Sequence, residues 1–179
     1  MSRMIRRSLP AFVLAATLGA CATSSRVALP SPEPSLDNPA IDMGGFLDVA
    51  RDAAAHRETR RLTEDQFLAM MAEPGTIVLD ARSADRYAMR HVRGAVNLPF
   101  PDIAIDSVGA VLPDKDARIL IYCNNNFTGN ESAFATKSAR ASLNLSTYIA
   151  LHTYGYTNVY ELEPLLDVKT TKLDLVASK

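Results

Sequence analysis

The sequence predicts an α/β fold, a small parallel β-sheet with helices on both faces, from three observations. Short continuous apolar runs at 76–79, 118–122 and 158–162 have the β-branched, uninterrupted character of strands covered on both sides. Segments with helical spacing and recognisable end signals alternate with them. Two chemistry-bearing residues, Asp80 and Cys123, stand directly after apolar runs, where parallel sheets bind their ligands.

The elements follow in chain order. Residues 41–56 carry Gly44-Gly45 and then Phe46, Leu47, Val49 and several alanines, a short helix suited to docking on the domain. Thr63-Glu64-Asp65-Gln66 has a capping-box pattern, Phe67, Leu68 and Met71 follow at helical spacing, and Pro74-Gly75 ends the helix. A strand at 76–79 comes next, then a short helix at 83–90 and a short strand at 95–98 closed by Pro99. After the strand at 118–122, Phe134, Ala135, Ser138, Ala141, Leu145, Tyr148, Ile149 and His152 fall on one stripe. That stripe predicts one long helix over 132–154, with Gly155 as its C′ residue. The last strand is 158–162. Residues 58–168 have the size of one ordinary domain, and the lysine-bearing tail 169–179 suggests at most a short helix.

The N-terminus reads differently. Arg3, Arg6 and Arg7 precede an apolar segment from Leu9 to Leu18 that is too short to span a bilayer, the pattern of an export signal. Leu18-Gly19-Ala20-Cys21 resembles the lipobox of bacterial lipoproteins, which implies lipidation of Cys21, removal of residues 1–20 and a periplasmic domain anchored to a bacterial membrane. Residues 21–57 then form a tether, rich in Ser and Pro up to Pro39, and the short helix. Loss of residues 1–20 removes three arginines and no acid, taking the formal charge from −1 to −4. That mildly acidic balance, without a clustered basic face, argues against a nucleic-acid partner.

The chain holds two cysteines. With Cys21 acylated, Cys123 has no partner for an intramolecular disulfide and is a free thiol or a persulfide carrier. Its position before Asn124-Asn125-Asn126-Phe127-Thr128-Gly129-Asn130 is that of a nucleophile at a strand-to-loop turn, where backbone N–H groups can face the sulfur. A buried structural cysteine is the competing reading, and local sequence leaves both open. The histidines His56, His91 and His152 show no metal-ligand spacing with the thiol.

Several motifs taken in order resemble the rhodanese-like domain. They are Leu79-Asp80-Ala81-Arg82, Tyr87, His91-Val92-Arg93-Gly94-Ala95-Val96-Asn97-Leu98-Pro99, Ile121-Tyr122-Cys123 and Gly155-Tyr156-Thr157-Asn158-Val159-Tyr160. The resemblance implies a sulfurtransferase with no metal or organic cofactor. Cys123 would take sulfur from a small sulfur-containing anion, as thiosulfate or mercaptopyruvate transferases do, and pass it to a thiol acceptor. It further implies that Asn124, Asn125, Asn126, Phe127, Thr128 and Gly129 surround the transferred sulfur, with Asp80 and Arg82 near the mouth. Asp80 and Arg82 also have the residue types of an ion pair bracing a strand end, and His91 those of a loop brace.

The chain departs from that family at the loop. Asn126 stands where the compact active loop has glycine, and the first glycine comes only at Gly129. The interval from Cys123 to Gly155 is longer than usual, so the loop reads as enlarged. Three asparagines tolerate left-handed backbone and can wrap N–H groups round a sulfur, or they can cap the next helix. Lys137 and Arg140 are the nearest downstream cations. Gly129 stands where related cysteine phosphatases have their phosphate-holding arginine, which argues against ester hydrolysis. Glu161-Leu162-Glu163-Pro164 replaces the usual Gly-Gly turn and gives an acidic rim. The alternative function is therefore a catalytically inactive rhodanese-fold module that binds a partner protein or a small ligand at the altered loop.

Overall fold

The computed structural model describes residues 38–178. The segment 1–20, Cys21 and the tether up to residue 37 lie outside the described residues. Five parallel strands form the central sheet, in the spatial order β1 (Arg61–Leu62), β7 (Val159–Leu162), β5 (Ile119–Tyr122), β2 (Ile77–Asp80) and β4 (Val96–Asn97). Side chains alternate across this sheet and build two cores. Leu120 and Tyr122 of β5 join Leu62, Phe67, Val78 and Leu162 on one face. Ile119 and Ile121 join Leu79, Tyr148, Leu151 and Val159 on the other.

Helices cover both faces. On the first lies α2 (Glu64–Met71), started by the expected capping box between Thr63 and Gln66, with Phe67 fully buried. On the second lie α1 (Met43–Arg57), α4 (Ile105–Val111) and α5 (Leu143–Thr153), which supply Ala53, Val108, Tyr148 and Leu151 to the core. The short α3 (Ala84–Met89) leads into β3 (His91–Val92), where the His91 ring stacks on Tyr87 and Nδ1 lies 2.8 Å from the Tyr87 carbonyl. His91 is thus a loop brace.

The sequence reading misses α4 and misjudges two other segments. In α4 the central Gly109 weakens the helical signal, while Ser107 caps the first turn by accepting from the Ala104 N–H at 2.9 Å. The long helix expected over 132–154 is confined to α5. Ahead of it the chain runs through β6 (Phe127–Thr128), an irregular stretch and a single 3-10 turn at Ala139–Ala141. Side chains have taken the backbone groups that a helical ladder would need. Asn124 donates to the Ala135 carbonyl, and Asn125 both donates to the Lys137 carbonyl at 2.9 Å and accepts from the Lys137 N–H at 2.9 Å. The tail holds no helix among the described residues: a turn at 168–170 leads on to a short strand. Here β8 (Leu166–Asp167) pairs in parallel with β6, and β9 (Leu175–Val176) pairs antiparallel with β3, burying Leu173.

A hydrogen-bond chain fixes α1 to the domain. Arg60 Nε donates to His56 Nε2 at 2.9 Å, so His56 Nδ1 carries the proton and donates to the Tyr148 hydroxyl at 2.9 Å. That hydroxyl donates to the Val159 carbonyl at 3.2 Å. Burial lowers the His56 pKa, and the charges of Arg60 and His152 push it the same way. Burial also raises the Tyr148 pKa to about 12, keeping its hydroxyl a donor. Because the folded state disfavours protonated His56, the unfolded chain takes up the proton first as pH falls below ~6.5, and this contribution to stability is lost in acid. The unfolding temperature is therefore expected to fall on acidification from pH 7 to 5.5, and less steeply in His56→Asn. Equal slopes in the two proteins would contradict the neutral-histidine clamp.

Candidate active site

Cys123 follows the last residue of β5, the middle strand of the sheet, in extended conformation at φ −143°. It caps a single 3-10 turn, Asn124–Asn126. Its Sγ accepts from the Asn125 backbone N–H at 3.4 Å and lies 3.4 Å from the Ser142 hydroxyl. Both can donate to a thiolate or to a sulfur bonded to it. The turn is held by the Asn126 side chain. Its Oδ1 accepts from the Cys123 N–H at 2.9 Å and from Asn144 Nδ2 at 3.1 Å, while its Nδ2 donates to the carbonyls of Leu162 at 2.7 Å and Pro164 at 3.2 Å.

Only 1% exposed, Cys123 sits in the wall of a cavity of about 200 Å³. Parallel register explains the wall opposite. Ile121 is level with Glu161, and Glu161 with Arg61, so Cys123, two residues beyond Ile121, shares their face of the sheet. Arg57 at the end of α1 forms an ion pair with Glu161 in the same cavity, and Arg61 Nη2 reaches Glu163 at 2.8 Å. Glu161 and Glu163 both line the cavity, forming the acidic rim expected, and their charge is balanced by Arg57 of α1 and Arg61 of β1.

The candidate residues divide into groups. Asn125 and Asn126 line the cavity with Cys123. Asn124 lines a separate cavity of about 640 Å³, together with Arg82, Arg86, Phe100 and Lys137. None of the three asparagines adopts the left-handed backbone that the sequence allows, because no non-glycine described residue has positive φ. Nor do they cap α5 or sit in solvent: Asn124 and Asn126 are 4% exposed, and their amides bind carbonyls of neighbouring segments. Phe127, Thr128 and Gly129 lie outside the Cys123 cavity. Phe127 packs between Tyr122 and Phe134 in the core, Thr128 pairs with Asp167 in β8, and Gly129 turns at φ +81°, where a Cβ would meet Asp167 Oδ1 at 3.1 Å. Arg140 lines neither cavity. Arg57, Arg61, Ser142 and Asn144 also line the cavity and are not assigned by the sequence reading, which places Glu161 only in an acidic rim. A charged residue at the inward position 161 of a covered strand was the available signal, since such a residue demands a buried partner.

Asp80 and Arg82 are committed to each other beneath the neighbouring loops. Arg82 donates through Nε to Asp80 Oδ1 at 2.9 Å and through Nη2 to Oδ2 at 2.6 Å, and its other bonds go to the carbonyls of Ala133 at 2.9 Å and Arg90 at 2.7 Å. Tyr122 donates its hydroxyl to the same carboxylate. Burial alone would lower the Arg82 pKa, but its hydrogen bond with Asp80 and the Asp80 charge outweigh burial and raise it.

The free cysteine at the end of the central parallel strand stands in a fold that agrees with the comparisons. The rhodanese-like domain model matches residues 63–164. This chain belongs to the rhodanese-like domain family. It is 27% identical over 95 residues to the thiosulfate sulfurtransferase PspE of Escherichia coli strain K12, covering 53% of this chain and 76% of PspE. It is 31% identical over 106 residues to the thiosulfate sulfurtransferase GlpE of Pseudomonas entomophila strain L48, covering 59% of this chain and 80% of GlpE. A solved structure of a rhodanese with anions from E. coli aligns with a TM-score of 0.39 at 23% identity, covering 57% of this chain and 98% of that one. Arg57 and Arg61 both precede the matched residues, so this rhodanese-like domain takes the cations of its cysteine cavity from outside the family region.

Removing one partner of the buried pair leaves an uncompensated charge, which costs about 3–5 kcal/mol. Arg82→Met is expected to lower the unfolding free energy by roughly that amount in urea titration. A change under about 1 kcal/mol would contradict the bracing role.

Proposed function

We propose that this rhodanese-like protein is a sulfurtransferase that carries sulfur as a persulfide on Cys123. Two features of the cavity carry this reading: the free thiol at the end of the central strand, and the Asn125 N–H and Ser142 hydroxyl within 3.4 Å of its sulfur. The Cys123 thiolate attacks the outer sulfur of thiosulfate and a new S–S bond forms. The old S–S bond breaks, and sulfite leaves with its electron pair. A thiol acceptor then takes the outer sulfur and regenerates the thiolate. The two donors stabilise negative charge on sulfur in both half-reactions. Thiosulfate is the donor named for both relatives, PspE and GlpE, and the arginines of the cavity offset its carboxylates for an anionic donor.

The loop between Cys123 and α5 is read as enlarged relative to compact family members, with asparagine side chains doing the work of a tight glycine turn. The N-terminal segment, ending in the lipobox-like Leu18-Gly19-Ala20-Cys21, supports export and lipid anchoring at a bacterial membrane with the domain in the periplasm. An acylated Cys21 leaves Cys123 without a disulfide partner in its own chain, which keeps the thiol available.

Stoichiometric thiosulfate is expected to release about one sulfite per chain in a single turnover, read by a sulfite-specific dye, and none from Cys123→Ser. Absence of a sulfite burst with thiosulfate and of a pyruvate burst with 3-mercaptopyruvate from the wild-type protein would sink the transferase reading and leave a ligand-binding module.

A further inference from the structure

The larger cavity, of about 640 Å³, shares no lining residue with the Cys123 cavity and meets the cysteine turn only through Asn124. Two segments without regular structure enclose it. After β4, Pro99 and Pro101 flank Phe100, and with no N–H to give they limit the chain to a single 3-10 turn, Phe100–Asp102. Opposite runs the stretch 133–137, held out of a helix because Asn124 binds the Ala135 carbonyl and Asn125 binds the Lys137 backbone. Pro99, Phe100, Pro101, Ala133, Ala135 and Leu143 give the cavity an apolar lining.

The charged lining is all of one sign. It consists of Arg82, Arg86 and Lys137, and no carboxylate joins them. The charge of Arg82 is offset by Asp80. The other two are uncommitted: among the described residues the Arg86 guanidinium meets the Met89 sulfur at 3.9 Å, and Lys137 is bonded through its backbone alone. Two cations favour an anionic head, through the stronger, charge-assisted kind of contact. A bare inorganic anion would leave the apolar lining unused, whereas an apolar body gains by leaving water for it. At ~30 Å³ per water, the space equals about twenty waters, enough for a ring-sized body.

We propose that this cavity is a second ligand site, which takes a small organic anion with a ring-sized apolar body, of the aromatic carboxylate class. Arg86 and Lys137 hold the head, and Phe100, Pro101 and Leu143 cover the body. The site stands apart from the sulfur chemistry, so it holds whether or not Cys123 carries a persulfide.

The probe is 2-naphthoate, whose fluorescence is easily followed in a chain without tryptophan. It is titrated into the full chain beside 2-naphthamide, which has the same body and no charge, with acetate and thiosulfate as competitors. Naphthoate is expected to bind about tenfold more tightly than the amide, the scale of one charge-assisted contact. Arg86→Gln and Lys137→Gln should each weaken naphthoate by about that factor and leave the amide unchanged. Both side chains lie at the surface, so the fold should tolerate either change. Phe100→Ala should weaken both probes alike. Neither competitor should displace naphthoate at equal concentration. Equal affinity for naphthoate and amide, or unchanged naphthoate binding in both charge variants, would overturn the site. Displacement by equimolar acetate would reduce it to a plain anion site, and displacement by equimolar thiosulfate would make it the sulfur donor's own; either result contradicts the proposal.

Discussion

The site depends on one side chain, the carboxamide of Asn126. An amide has two N–H donors and one oxygen with two lone pairs, and Asn126 uses all four. Its oxygen binds the Cys123 N–H and Asn144 of α5, and its nitrogen binds the Leu162 and Pro164 carbonyls beyond β7. One side chain therefore joins the ends of two strands to the start of the helix that covers them. The constraint is strict because Asn126 is buried, so any bond it loses leaves a group unpaired rather than hydrated. The sulfur position follows from it, since the turn that presents the Asn125 N–H is the turn Asn126 closes.

A second dependence runs through charge. A buried carboxylate such as Glu161 is tolerated only with a nearby cation, and here the cations are Arg57 and Arg61. Arg57 ends α1, and Arg61 stands in β1. Docking of α1 is thus more than packing of Ala53 against the sheet: it completes the electrostatics of the cysteine cavity. The His56–Tyr148–Val159 chain holds α1 in that position, which couples the anchoring of the helix to the chemistry of the site.

The fold was readable in the sequence wherever local and tertiary preferences agree. The apolar runs of β2, β5 and β7 are buried on both faces, the capping box at Thr63 starts α2, and Gly155 adopts the positive φ expected after α5. Reading failed where tertiary bonds override local pattern. The apolar stripe over 132–154 looked helical throughout, but Asn124 and Asn125 capture the backbone of Ala135 and Lys137 from across the loop. Of the site, Cys123 was evident from its place after a buried strand, and Asn125 and Asn126 from adjacency. Glu161 was read only as part of an acidic rim, and Arg57 and Asn144 not at all, because they reach the Cys123 cavity only through the parallel register of β1, β5 and β7 and the docking of two helices.

The central claim is that the Asn126 amide holds Cys123 ready to accept sulfur. The direct test is a time course of intact mass for the full chain mixed with thiosulfate, comparing wild type with Asn126→Asp, which keeps the shape but loses both donors. The account predicts that the wild-type protein gains one sulfur atom, removable by a thiol, and that the variant gains it at least about tenfold more slowly, the scale set by leaving buried carbonyls unpaired. A wild-type protein that gains no sulfur, or a variant that gains it at the wild-type rate, would contradict it.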